Sequence, residues 1–143
     1  MSLNQSKKNY GDMTINVKLK ISALWVAVMF FYSYADVLGF YKPGNLNELL
    51  TGEIAGLEIT PEFLFGSAIL VAIPSLMGFF SLIMKAQVNR WVNIILAIIY
   101  SLVVIITLLM SGNWAYYIFY AIIELVIYSL IVWYAWQWPL QEH

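Results

Sequence analysis

Residues 92–110 read Val-Asn-Ile-Ile-Leu-Ala-Ile-Ile-Tyr-Ser-Leu-Val-Val-Ile-Ile-Thr-Leu-Leu-Met, a run without a charge, a proline or a glycine. A bilayer core about 30 Å thick needs about 20 apolar residues at a rise of about 1.5 Å each. This run has that length. It is too long for a strand of a soluble sheet and does not alternate as a barrel strand must. In hydrocarbon the backbone groups of such a segment must pair within it, so it reads as a membrane-spanning helix.

Working outward, the neighbours of this run repeat the pattern. Residues 63–84 are uncharged throughout, and only Lys85 and Arg90 interrupt the passage into residue 92. On the other side, Ser111-Gly112-Asn113 is a short polar turn that leads into residues 114–136, whose one ionisable carboxyl is Glu124. Residues 21–40 form the remaining run, free of charge until Asp36. The expected fold is all-α, an up-down antiparallel four-helix bundle integral to the membrane. It makes one membrane domain over residues 19–138, with a polar cytoplasmic tail at 1–18 and an outer loop at 41–60. Composition agrees: 62% of the 143 residues are hydrophobic and 10% are charged, against about 25% charged in a soluble domain.

The same composition excludes much chemistry. A formal net charge of −1 offers no basic footprint for phosphodiesters, so no nucleic-acid partner is expected. There is no cysteine, and the one histidine is His143 at the end of the chain, so no metal site is expected. Neither a glycine-rich phosphate loop nor a G-x-S-x-G motif occurs. No cofactor is expected, and a non-enzymatic role is favoured.

Boundaries and orientation follow from local chemistry. Thr60-Pro61-Glu62 supplies an N-cap, a proline suited to the first helical position and an acid in the first turn. Pro74 lies midway along the second span and predicts a kink. Lys7, Lys8, Lys18 and Lys20 precede the first span, and Lys85 and Arg90 separate the second from the third. The first outer loop has Lys42 alone beside Glu48, Glu53, Glu58 and Glu62. The positive-inside rule then puts both termini in the cytoplasm of a cell with this protein in its inner (plasma) membrane. Trp91, Trp133, Trp136 and Trp138 gather at the inner interface and Trp114 marks the outer one. Ser33-Tyr34-Ala35 looks like a signal-peptidase site, but the polar segment before it is long and the apolar run continues past it, so a retained span is expected. In the outer loop, Lys42-Pro43-Gly44-Asn45 reads as a tight turn. The spacing of Leu46, Leu49 and Leu50 predicts a short amphipathic helix capping the bundle.

The candidate site follows from an intramembrane acid. Glu124 lies about 15 Å below Trp114 at helical rise. Asn113, Tyr117, Tyr120 and Tyr128 share its helical face. A charge in hydrocarbon costs at least about 2.5–3.5 kcal/mol, so Glu124 should face the bundle interior as a neutral acid. In the first span Ser22, Trp25, Met29, Tyr32, Ser33 and Asp36 form a comparable stripe, with Asp36 about 7 Å nearer the outer surface than Glu124 by residue counting. The third span offers Asn93, Ala97, Tyr100, Thr107 and Ser111. The second offers Ser67, Pro74, Gly78 and Ser81, a small-residue face that lets a neighbour come close. Glu124, Asp36, Tyr117, Tyr120, Tyr128, Tyr32 and Trp25 are therefore the candidate pocket or proton-responsive residues.

Plain helix–helix bonding explains these polar faces in part. The functional expectation is that the bundle binds a small hydrophobic or lipid-like molecule, or a membrane partner protein. One alternative is proton-coupled transport of a hydrophobic cation at Glu124, which would call for a homodimer because four short helices leave little room for a pathway. Another is an intramembrane isomerase with Asp36 and Glu124 as acid and base.

Tyr34-Ala35-Asp36, Pro43-Gly44, Ile59-Thr60 and Val88-Asn89-Arg90-Trp91, taken together, resemble a family of small bacterial four-helix membrane proteins defined only as a domain of unknown function. The resemblance covers residues 16–133. It implies the four-helix membrane fold, with an acid ending the first span at Asp36, and no particular activity. A looser likeness joins the chain to the small multidrug exporters, which also carry a membrane-embedded glutamate among aromatics. Here the glutamate stands in the last span rather than the first, and the long first loop is foreign to that pattern.

Overall fold

The computed structural model describes residues 13–110, 112 and 114–138. Lys7 and Lys8 of the tail, the turn residues Ser111 and Asn113, and His143 lie outside the described residues. The elements are α1 (Val17–Phe40), α2 (Asn45–Leu50), β1 (Glu53–Ile54), β2 (Leu57–Glu58), α3 (Pro61–Ile83), α4 (Ala86–Met110) and α5 (Ala115–Trp136). Helices α1, α3, α4 and α5 are long and apolar enough to cross a bilayer, and their lipid-facing surfaces are lined by exposed Leu, Ile, Val and Phe. The chain is a multi-pass helical membrane protein.

Helix starts have the caps that their sequences offer. The Asn16 side chain accepts from the Lys18 N–H at 2.8 Å to open α1. Thr60 accepts from the Phe63 N–H at 3.1 Å to open α3, with Pro61 in the first turn, where its missing N–H removes no helical bond. The loop between α1 and α3 holds α2 and a two-stranded antiparallel hairpin pairing Glu53 with Glu58 and Ile54 with Leu57. Its turn residues Ala55 and Gly56 both have positive φ, 51° and 77°, the geometry that matches the twist of a two-residue hairpin. The hairpin is absent from the sequence reading because Ala55-Gly56 lacks the usual Asn or Asp before glycine. Asn45 Nδ2 donates to the Gly39 carbonyl at 3.0 Å, and the Lys42 ammonium lies 5.3 Å from the Trp114 ring, so the loop is tied to α1 and to the start of α5.

In the bundle α1 packs closely on both α3 and α5, and α5 on α4. The backbones of α3 and α4 approach each other at few positions. On the α1–α3 side Gly78 allows the close approach: a Cβ there would stand 3.2 Å from Val26 Cγ2. Ser22 Oγ donates to the Gly78 carbonyl across the same contact. On the α3–α4 side, long side chains fill the wider gap. The core is centred on Trp25, Tyr100 and Tyr128, whose rings meet at centroid distances of 5.8 to 6.3 Å, surrounded by Ile21, Val28, Met77, Ala97, Val104 and Ile131.

Candidate functional site

Proline fixes the first layer of the site. Pro74 has no N–H, so the Leu70 carbonyl one turn earlier loses its helical partner. In lipid that oxygen needs another donor. The Tyr100 hydroxyl of α4 donates to it at 2.7 Å, which also holds α4 against α3 where their backbones stand apart. Helix α3 runs through Pro74 from Pro61 to Ile83 on this support.

A second layer lies toward the cytoplasmic ends expected from the charges. Helix α3 stops at Ile83, so its last carbonyls have no partners from a following turn. Asn89 Nδ2 donates to the Ser81 carbonyl at 2.5 Å, and the Lys18 ammonium donates to the carbonyls of Met84 at 2.6 Å and Leu82 at 3.3 Å. Asn93 then links three helices. Its Oδ1 accepts from Trp25 Nε1 at 2.6 Å and from Ser81 Oγ at 3.3 Å. Its Nδ2 donates to Asn89 Oδ1 at 2.5 Å and to the Asn89 carbonyl at 2.8 Å. Asn89, Asn93 and Ser81 are fully buried. The sequence places Asn93 on a polar face of the third span and Asn89 in the Val88-Asn89-Arg90-Trp91 motif, and points to neither as a junction between helices. Their spacing of one helical turn, four residues apart on the same face as Tyr100, was the available signal.

The third layer holds most of the candidate residues. The hydroxyls of Tyr32 on α1 and Tyr128 on α5 are hydrogen-bonded at 2.7 Å. One helical turn outward from this bond along the two antiparallel helices are Asp36 and Glu124. The two carboxyl groups are within electrostatic reach of each other, and Glu124 also faces Tyr32, Tyr117 and Tyr128. The register set by the Tyr32–Tyr128 bond, with each acid one turn beyond it, reduces the depth difference of about 7 Å expected from counting. Counting from the ends of apolar runs ignores that the tyrosine pair sets how the helices slide past each other.

Glu124 is buried, with 5% of its surface exposed. No hydrogen bond from the described residues reaches its carboxyl, although the phenols of Tyr32, Tyr117 and Tyr128 lie within electrostatic range. Tyr117 lies beside Thr107 of α4, so the cluster touches three helices. Asp36 stands at the exposed outer rim, near Tyr116 and Tyr117. Two candidates take other places. Trp25 is fully buried beneath Tyr128 with its indole N–H on Asn93, which makes it a floor of the site rather than a wall. The Tyr120 ring turns to Phe31, at a centroid distance of 5.5 Å. Ser33 bonds back to the Met29 carbonyl of its own helix at 2.9 Å and faces outward.

Four apolar helices around a stacked aromatic and amide core, with one acid enclosed by phenols, define a small multi-pass membrane protein of the helical-bundle class. The chain belongs to the DUF6326 family, a family of unknown function, whose model matches residues 12–143. No curated protein and no solved structure matches it.

Proposed function

We propose that the protein is a non-enzymatic binding protein of the inner membrane, with both ends in the cytoplasm. Its outer half takes a small hydrophobic or lipid-like molecule with a cationic or hydrogen-bonding head between α1 and α5. The observation that carries this reading is Glu124, 5% exposed and within electrostatic range of the Tyr32, Tyr117 and Tyr128 phenols, yet hydrogen-bonded to none of the described residues. A carboxyl at membrane depth with no protein donor on it is costly, and an acid there is by default a functional residue. A ligand head that donates to Glu124, with Tyr32, Tyr117 and Tyr128 beside it, removes that cost. Asp36 at the rim adds an attraction for a positive head as it enters.

The test is binding of tetraphenylphosphonium to the purified protein in nanodiscs between about pH 5 and about pH 9. A cation favours the ionised carboxyl, so by linkage its affinity for the native protein should rise with pH, by about tenfold for one close ion pair in a poorly hydrated site. Glu124→Gln should weaken binding by about the same factor and flatten the pH profile. Equal affinity and an unchanged profile in the variant, or no binding by either protein, would overturn the reading. Proton counterflow during uptake of the same cation into proteoliposomes would extend it to exchange transport.

The orientation has its own support. Lys18, Lys20, Lys85 and Arg90 stand at one end of the bundle, and Glu48, Glu53, Glu58 and Glu62 at the other. Because the chain has no cysteine, single cysteines report cleanly. Glu58→Cys should react with a membrane-impermeant maleimide in intact cells, and Gln87→Cys only after permeabilisation. The reverse pattern would invert the topology.

A further inference from the structure

A cleft of about 1000 Å³ opens at the end of the bundle opposite the outer loop, between the start of α1, the start of α4 and the residues after α5. Asn16, Lys18, Gln87, Arg90, Trp91 and Trp138 line it. The site at Glu124 is in the other half of the bundle, so this cleft is a separate feature.

Arg90 is its centre. The guanidinium carbon lies 5.7 Å from the Trp91 ring and 5.5 Å from the Trp136 ring, so two indoles hold the group in place. Its Nε is buried and has no hydrogen-bond partner. No carboxylate among the described residues pairs with it. The other cations at this end are already engaged or differently placed: Lys18 on the carbonyls that end α3, and Lys20 over the Tyr134 ring at 5.1 Å. All described acids outside the spans stand in the outer loop or at the start of α3. Among the described residues the charges lining the cleft are thus of one sign, with a planar fork of donors held in it and one donor left bare.

We infer that this cleft binds the phosphate headgroup of an anionic phospholipid. A phosphate diester presents two acceptors with the spacing of a guanidinium edge. Entering the cleft, it meets the Nη groups of Arg90. A remaining Lys18 proton lies on the other side. The walls choose a lipid over a free anion. Trp91 is half exposed, Ile15 is 56% exposed, and both flank the cleft at the level where tryptophan anchors a span in the interface, so acyl chains have apolar surface to follow outward.

The test compares the protein in nanodiscs of phosphatidylcholine alone, of phosphatidylcholine with phosphatidylglycerol, and of phosphatidylcholine with inorganic phosphate added. Native mass spectrometry reads the lipid retained after release from the disc. Phosphatidylglycerol should be retained over phosphatidylcholine by about tenfold relative to its share of the bilayer, because both phosphodiesters fit Arg90 but only choline adds a positive charge that Lys18 and Arg90 repel. Arg90→Gln should reduce that preference to near unity. Gln87→Glu, at an exposed position on the rim, should reduce it too by repulsion, and it leaves the Arg90 packing intact if the arginine variant does not fold. Added phosphate should neither protect the protein against heat nor displace the lipid. Preference retained in Gln87→Glu or in folded Arg90→Gln, or displacement by free phosphate, would overturn the inference.

Discussion

Asn93→Ala should lower the free energy of unfolding by about 3 kcal/mol, the largest single effect expected in the bundle. The side chain joins Trp25 of α1, Ser81 of α3 and Asn89 of α4 in full burial. Its removal strands the Trp25 indole N–H and the Asn89 Oδ1, and each buried polar group left without a partner costs about 1–3 kcal/mol. A single interhelical hydrogen bond in a membrane protein averages much less, about 0.6 kcal/mol. The larger figure here rests on several bonds converging on one residue and on the small void that alanine leaves. Asn93→Leu fills that void and should cost less than alanine, yet still more than about 1 kcal/mol, because the indole N–H stays bare. Trp25→Phe in the Asn93→Leu background should then cost less than Trp25→Phe alone. Equilibrium unfolding in mixed micelles measures these four variants and the native protein. Asn93→Ala within about 0.5 kcal/mol of the native protein would show that the network is not a stabilising junction.

Tyr100→Phe should cost about 1.5 kcal/mol, and the cost should depend on Pro74. The tyrosine hydroxyl meets the Leu70 carbonyl that Pro74 leaves without a helical donor. In a Pro74→Ala background the restored N–H of residue 74 takes over that oxygen. The tyrosine hydroxyl then loses its special partner, and Tyr100→Phe should cost less than about 0.5 kcal/mol. A double-mutant cycle isolates this coupling from the packing change that Pro74→Ala brings by itself. Equal costs in the two backgrounds would mean that the hydroxyl and the proline act independently.

Other features of the site were only partly legible in the chain. Glu124 with Tyr117 and Tyr128 on its face followed from spacing alone, because a helix repeats every 3.6 residues and an acid has few tolerable positions in a membrane. The pairing of Tyr32 with Tyr128 did not follow, since no local rule says how far one helix slides along another. Trp25 and Tyr120 share faces with the candidates in sequence, yet packing draws one beneath the site and the other toward Phe31. Asn89 read as part of an inner-interface motif, and only its neighbours reveal that it completes the end of α3.

By itself the sequence determined that the protein crosses the membrane four times as helices and that its charges gather at two opposite ends. It also marked the acid in the last span as the group in need of explanation. Those conclusions rest on free energies of transfer between water and hydrocarbon, which add up along a chain without knowledge of its neighbours. Only the tertiary structure decided which polar groups satisfy one another: Tyr100 with the carbonyl freed by Pro74, Asn93 with Trp25, Ser81 and Asn89, and Tyr32 with Tyr128. A hydrogen bond depends on a few tenths of an ångström between atoms far apart in the chain, and helix register alone sets that distance.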